Sequence, residues 1–417
     1  MKKLILILGL MSGLIATAEV MDRPGGIRIG QRMVLRPYVS LSYTYDSNVD
    51  SSSTRTKGSH SFSVNPGLNL TYVGDQFDLA ASGWYQYHAY TSYSDSLNNH
   101  SYGETVSFNW HDGATAESDA WSFMLAETFS RISQDDDMMN DGGRGIGRNR
   151  NQFNINTALN RNFTEKLHAS VYGGYYWLDY ANDNKSYAPM FGWDRWTAGG
   201  EIGYRLSRWT DFFINGNYQG YHQDNGSYPY DDLSALFRKQ YSGRSDSFTV
   251  HGGVGSAFTE RISYRISGGW TSYQYADTGR SNGFTYDISG RWKMSDNWNM
   301  MLLASSYYQP SEREYGSARR NDTISWGIAH SMVRGKLTAT LDLAYRHESS
   351  VYSDDSGNEY GCDILTGRIG LDYAICKFVS VYGRAEYQTE FDRGGYTDDV
   401  SCDYDRWRLT VGLRLQY

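Results

Sequence analysis

The sequence predicts an all-β protein: a transmembrane antiparallel up-and-down β-barrel of about eighteen strands, or sixteen as the alternative, with short periplasmic turns and long extracellular loops. Three observations predict it. The last stretch, Tyr404 to Tyr417, alternates strictly, with Trp407, Leu409, Val411, Leu413, Leu415 and Tyr417 on one face and Arg406, Arg408, Thr410, Gly412, Arg414 and Gln416 on the other. Short and long connections alternate along the whole chain. The composition is rich in Tyr (36), Trp (12), Phe (16) and Gly (44) but holds only 6 Pro. Aromatic residues suit strands and membrane interfaces, and Pro interrupts ladders.

A strand with one face fit for lipid and one fit for water has a side-chain period of two. Such a pattern hides from a hydropathy window, so a mean hydropathy of -0.61 is compatible with a membrane barrel as well as with a secreted soluble β protein. The chain of 417 residues begins Met1-Lys2-Lys3, then an apolar run from Leu4 to Ile15, then Ala16-Thr17-Ala18. That is the layout of a secretory signal peptide, with cleavage expected after Ala18. The run is too short for a membrane helix, which needs about 20 residues. The expected organisation is a signal peptide over 1–18, a periplasmic lead-in over 19–35 and a barrel over 36–417. Lys+Arg number 39 and Asp+Glu 47, a formal net charge of -8.

In order, the first strand runs near Pro37–Asp46, with Val39, Leu41, Tyr43 and Tyr45 outward. The second, His60–Val73, turns Phe62, Val64, Leu68, Leu70 and Tyr72 outward, and a tight turn follows at Gly74–Gln76. The rhythm continues through tight connections at Thr164–Lys166, Ser207–Trp209, Thr259–Arg261, Ser295–Asn297 and Arg334–Lys336. Long polar loops alternate with them, among them Ile132–Asn149 and Gln223–Gly243, which are expected to gate the lumen. Glu104 and Glu127 fall on the outward parity. They are expected near the loop ends of their strands, or re-aimed by a bulge.

The opening strand reads RPYVSLSYTYDSNV over Arg36–Val49, and the next contains Asn65-Pro66-Gly67-Leu68. These motifs resemble the putative β-barrel porin-2 family of outer-membrane proteins. Ser47 between Asp46 and Asn48 is a departure from its pattern. The resemblance implies an outer-membrane barrel linked, in several members, to secretion of exopolysaccharide. It carries no catalytic residues.

The parity opposite the lipid face lines the lumen. Its charges are Arg265, Arg291, Asp342, Arg346, Arg368, Asp372, Arg384, Glu386, Arg406, Arg408 and Arg414. They read either as an anion-favouring wall or as cross-strand ion pairs bracing it. Trp84, Tyr172, Tyr176, Tyr273 and Tyr382 share that parity. They are candidates for stacking on sugar rings, or for packing beneath inward-folded segments. Cys362 and Cys402 fall at loop ends and are candidates for a disulfide, whereas Cys376 falls at the opposite rim. Acidic pairs and runs at Asp135–Asp137, Asp231-Asp232, Asp354-Asp355 and Asp398-Asp399 read as solvated loop charge rather than a metal site.

The histidines are scattered, and no GxSxG, HExxH, P-loop or CxxC motif occurs, so no catalytic, metal or cofactor site is expected. No basic run points to nucleic acid. The expected partners are outer-membrane lipid, the barrel-assembly machinery acting on the C-terminal strand and periplasmic polysaccharide-export components. The expected function is passage of polar solute, with exopolysaccharide secretion first. A general diffusion or uptake porin and a surface-structural or adhesion barrel with a closed lumen are the alternatives.

Overall fold

The computed structural model describes residues 26–48, 58–91, 98–112, 120–133, 149–180, 192–223, 244–259, 261–275, 279–310, 318–350, 361–393 and 404–417. Strict alternation over most of this length builds strands and nothing else. They are β1 (Ile27–Ile29), β2 (Met33–Asp46), β3 (Ser59–Val73), β4 (Phe77–Tyr90), β5 (Asn99–His111) and β6 (Trp121–Ser133). Then come β7 (Asn149–Asn162), β8 (Leu167–Tyr180), β9 (Trp193–Arg205), β10 (Thr210–Gln223), β11 (Arg244–Thr259), β12 (Ile262–Tyr275) and β13 (Gly279–Ser295). The chain ends with β14 (Trp298–Pro310), β15 (Ala318–Met332), β16 (Leu337–Ser350), β17 (Gly361–Cys376), β18 (Val379–Arg393) and β19 (Tyr404–Gln416).

Each strand from β2 to β19 pairs antiparallel with the next, and β19 pairs back onto β2 from Arg408↔Asp46 to Gln416↔Tyr38. The result is a closed barrel of eighteen strands plus one short extra strand. Closure leaves no free sheet edge around most of the wall, which is what a spanning sheet requires. The extra strand occupies part of the segment set apart as a lead-in. The sequence places the first barrel strand from Pro37, but β2 begins at Met33, and β1 pairs with its first residues, Ile27↔Leu35 to Ile29↔Met33. Gly30, at φ +68°, turns the chain between them.

The turns at the short end repeat one device. Thr164 Oγ1 accepts the N–H of Leu167 at 2.9 Å, Ser207 Oγ that of Thr210 at 3.1 Å and Thr259 Oγ1 that of Ile262 at 3.0 Å. A hydroxyl that binds backbone ahead of it lets a short turn close without a longer loop.

The outward face carries the predicted apolar belt, including Phe62, Val171, Ile202, Ile214, Ile369, Trp407 and Val411, all exposed on the wall. The core is therefore the lumen: hydroxyl, amide and charged side chains dominate the buried residues.

Glu104 and Glu127 correct the sequence reading. Neither lies near a loop end: Glu104 sits at the middle of the 13-residue β5 and Glu127 at the centre of the 13-residue β6. No bulge re-aims them, because the β5–β6 register runs unbroken from Tyr102↔Arg131 to His111↔Ser122. Their pairing partners on the same face, Phe129 and Val106, are apolar. Two neighbouring carboxylates thus face outward at mid-strand.

Candidate functional site

The eleven candidate lumen charges all lie on barrel strands, and most are concentrated between β16 and β19. There the geometry brings opposite charges together. Arg406, 2% exposed, makes a forked contact to Asp46, with Nε 2.9 Å and Nη2 2.5 Å from Oδ2. Arg408 reaches the same carboxylate at 3.3 Å and Glu386 at 3.9 Å. Arg368 closes onto Glu386 from the neighbouring strand. A chain of charges thus crosses from β17 through β18 and β19 to β2, over the joint where the barrel closes.

A second group lies higher on the wall. Glu348 accepts from Arg319 at 2.7 Å and from Arg346 at 3.3 Å. Across the lumen, Arg265 pairs with Glu201, and its guanidinium lies 3.4 Å from the centroid of the Phe213 ring. Arg384 and Arg414 share a different support: they lie 5.3 and 5.9 Å from the centroid of the Tyr382 ring. Arg291 and Arg384 are exposed on the lumenal parity, and Asp342 and Asp372 line it half-buried.

The five predicted stacking rings divide into two kinds. Trp84, Tyr172 and Tyr382 lie against glycines of adjacent strands. A methyl group on Gly199 would meet Tyr172 at 2.5 Å, one on Gly412 would meet Tyr382 at 2.3 Å, and one on Gly103 would meet Trp84 Nε1 at 3.0 Å. An aromatic ring laid over a facing glycine fills the space its missing side chain leaves. These rings are part of the wall. Tyr176 and Tyr273 instead join an aromatic cluster with Trp193 and Tyr221. Successive ring centroids are 4.8 Å apart for Tyr176–Trp193, 6.0 Å for Trp193–Tyr221 and 5.7 Å for Tyr221–Tyr273. Arg195 lies over Tyr176 and Trp193, and the Tyr273 hydroxyl bonds Ser245 Oγ at 2.6 Å. Leu178 and Ala318 complete the cluster.

Its last member is Tyr308, which the alternation assigns to the lipid face. It is nevertheless buried, with its ring centroid 6.0 Å from that of Tyr273. Its carbonyl accepts from the Tyr221 hydroxyl at 3.3 Å. Tyr221 belongs to β10 and Tyr308 to β14, so the outer end of β14 has moved into the lumen. The ladder records the departure: β13 and β14 pair from Ser295↔Trp298 up to Asp287↔Ser305 and no further, although β13 continues to Gly279 and β14 to Pro310. Below this point the wall closes edge to edge. Above it, β14 overlaps the inner face of β12 and β13.

Sequence reasoning missed the carboxylates that neutralise the arginines, chiefly Asp46, Glu201 and Glu348. Parity counted forward from Leu41 and from Leu343 places Asp46 and Glu348 inside and was sufficient to find them. No sequence signal finds Tyr308, because its parity is correct for an unbroken wall. Cys362 is buried, with its Sγ donating to Glu390 Oε1 at 2.9 Å, and Cys376 is exposed at the other rim. Cys402, the acidic loop runs and the two proposed gating loops between β6 and β7 and between β10 and β11 lie outside the described residues. Among the described residues no group of His, Cys, Asp and Glu could hold a metal ion.

Similar solved structures include the FrpB iron transporter from Neisseria meningitidis, at 11% identity over 94% of this chain and 82% of that one, TM-score 0.43. The outer-membrane protein OpdK from Pseudomonas aeruginosa matches at 10% identity over 92% of this chain and 99% of its own, TM-score 0.41. The ferric enterobactin receptor PfeA from Pseudomonas aeruginosa matches at 8% identity over 91% and 81%, TM-score 0.43. At these scores nothing about cargo follows. No curated protein matches. The family described as putative beta-barrel porin 2 matches over residues 23–417. With its closed eighteen-strand wall, apolar outer belt and polar lumen, this chain belongs to that family and is a porin-like outer-membrane β-barrel.

Proposed function

We propose that the lumen passes neutral, hydroxyl-rich solute, and that its physiological cargo is exopolysaccharide on its way out of the cell. The observation that carries the reading is the neutralisation of the wall. Arg406, Arg408, Arg368, Arg346 and Arg265 each face a carboxylate within ion-pair distance. A wall of closed pairs gives little net field to select a charge. The rest of the lining is rich in hydroxyl and amide groups, with a cluster of aromatic rings packed beneath Tyr308, and groups of these two kinds match the polar edges and CH faces of sugars. Export involves the periplasmic polysaccharide machinery as partner, and insertion uses the assembly machinery acting on β19. Anion preference, where it exists, comes from Arg291 and Arg384, which are exposed to the lumen.

Two measurements test this. Proteoliposomes containing the barrel are expected to swell in isotonic neutral oligosaccharide and to show weak ion selectivity by reversal potential. Deletion of the gene in its host is expected to leave exopolysaccharide inside the cell. A strongly anion-selective channel that excludes sugar would reject the cargo class. Normal surface polysaccharide in the deletion strain would reject the export role.

A further inference from the structure

The split between β13 and β14 is defined on both sides. On the β13 side, Gly279–Tyr286 stays fully paired to β12, from Tyr275↔Gly279 to Gly268↔Tyr286, while its other edge has no ladder partner among the described residues. On the β14 side, Ser306–Pro310 stays paired to β15, from Ser306↔Asp322 to Pro310↔Ala318. Both strands are thus intact and only their mutual ladder is missing. On the lipid-side parity of β14, Ser306, Tyr308 and Pro310 are buried, as is Ala318 of β15 opposite Pro310, while Tyr307 on the lumenal parity remains exposed. The lipid-side face of β14 is therefore the one packed against the lumenal rings of β10 and β12. Gly283 makes room: a methyl group there would lie 2.4 Å from the Tyr308 hydroxyl.

The same sequence describes a second arrangement. Continuing the observed register one residue at a time pairs Tyr286 with Ser306, Thr285 with Tyr307, Phe284 with Tyr308 and Gly283 with Gln309. In that register Tyr308 falls on the lipid face beside Phe284, which is already exposed there. Tyr307 stays on the lumenal face, and the mouth of the barrel widens by the width of the overlap. The inner arrangement gains the burial of Tyr308 among rings; the outer one gains ladder hydrogen bonds along an edge that otherwise has none. Two packings of one segment with opposed gains form a bistable element.

We propose that Tyr176, Trp193, Tyr221 and Tyr273 form a binding site for a pyranose ring, which Tyr308 occupies in this structure and vacates when the outer end of β14 zips onto β13. The rings offer stacking faces. Arg195, Gln219 and Ser245 around them offer the polar groups that sugar hydroxyls need. A sugar that binds the vacated site shifts the equilibrium to the zipped, wider form, because it has no seat in the other. This inference rests on the pore reading above and adds to it the gate and the site that controls it.

The test is a disulfide that captures the zipped form while sparing Tyr308. Thr285→Cys and Tyr307→Cys are placed in a chain with Cys362, Cys376 and Cys402 changed to Ser. Directly opposed residues of antiparallel strands have Cα atoms about 4.5–5.5 Å apart, within disulfide reach. Folding is checked by the heat-dependent mobility shift of the barrel on gels. The expected result is a disulfide on oxidation, higher single-channel conductance and current blocks by added maltohexaose, all reversed by reductant. Tyr308→Ala is expected to raise conductance without oxidant and to be blocked by maltohexaose in the same way. Failure of the disulfide to form in a folded barrel, or its formation without change in conductance, overturns the gate. Higher conductance with no maltohexaose block overturns the sugar site. If neither the native chain nor any variant conducts, the pore reading itself falls, and the gate falls with it.

Discussion

Asp46→Asn probes the joint that closes the barrel. Asp46 is the carboxylate that Arg406 forks onto and Arg408 reaches, and Arg406 and Asp46 are almost wholly buried. The substitution keeps the shape and removes the charge, leaving two guanidiniums side by side in a site built for their neutralisation. Truncating one partner of a buried pair costs about 3–5 kcal/mol, much of it the penalty of the stranded charge. Arg408 keeps Glu386 at 3.9 Å, which places the expectation near the lower end, about 3 kcal/mol. Urea unfolding of the barrel in lipid vesicles, followed by Trp fluorescence, reads the loss directly. Adding Arg406→Gln to Asp46→Asn removes one stranded charge and is expected to restore part of it. A loss below about 1 kcal/mol, the range of exposed surface pairs, would refute the argument that this cluster fastens the closing joint.

The remaining predictions concern other parts of the wall. Glu104→Leu with Glu127→Leu is expected to stabilise the isolated barrel in vesicles by about 1–2 kcal/mol, since each replaces a carboxylate facing lipid at mid-strand. A loss of stability in the same urea titration would show instead that the pair has a use on that face. Gly412→Ala drives a methyl group into the Tyr382 ring and is expected to cost about 1–3 kcal/mol in that titration, with Gly199→Ala acting likewise on Tyr172. Equal stability would mean that these rings are free to move off the wall. Neutralising Arg291 and Arg384 to Gln is expected to shift the reversal potential towards cations more than neutralising Arg346 does. Arg346 already faces Glu348, whereas Arg291 and Arg384 are exposed to the lumen. An equal shift from Arg346→Gln would show that the pairs do not cancel its field.

The eighteen-strand wall was legible because lipid imposes one rule on every strand. Val39, Leu41 and Tyr43, or Leu409, Val411 and Leu415, declare their face two residues at a time. The lumen follows no such rule. Arg406 and Arg408 are visible as inward-facing charges. Their shared partner, Asp46, lies 360 residues from Arg406 and 362 from Arg408 by chain, and only closure of the barrel brings it beside them. Glu104 and Glu127 were misplaced for a related reason. Parity gives a side chain's face but not its depth, and depth depends on where each strand meets its turn. Tyr308 is the deepest failure. Its parity is right for a complete ladder, and the ladder is incomplete.

That failure also explains why the wall parts between β13 and β14 and not at the joint between β19 and β2. Backbone hydrogen bonds are alike from strand to strand, so side chains decide which joint holds. β19 and β2 are fastened by Arg406, Arg408 and Asp46, and β18 is tied in through Glu386. β14 reads WNMMLLASSYYQP and contains no Asp, Glu, Lys, Arg or His. It can therefore form no ion pair with either neighbour. On the β15 side its ladder runs the full length, from Trp298↔His330 to Pro310↔Ala318, with Ser305 and Thr323 hydroxyls 2.9 Å apart. On the β13 side only the lower part of the ladder remains. A strand without charge also leaves a charged wall at the least desolvation cost when it swings into an aromatic site. The strand best suited to move is thus the one the structure shows displaced. Adding charge to it would test the point: Tyr307→Glu, brought opposite Thr285→Lys in the zipped register and leaving Gly283 and Tyr308 unchanged, is expected to hold the wall closed and keep the mouth wide. Unchanged conductance in that folded double variant would mean that fastening by charge is not what distinguishes the two joints.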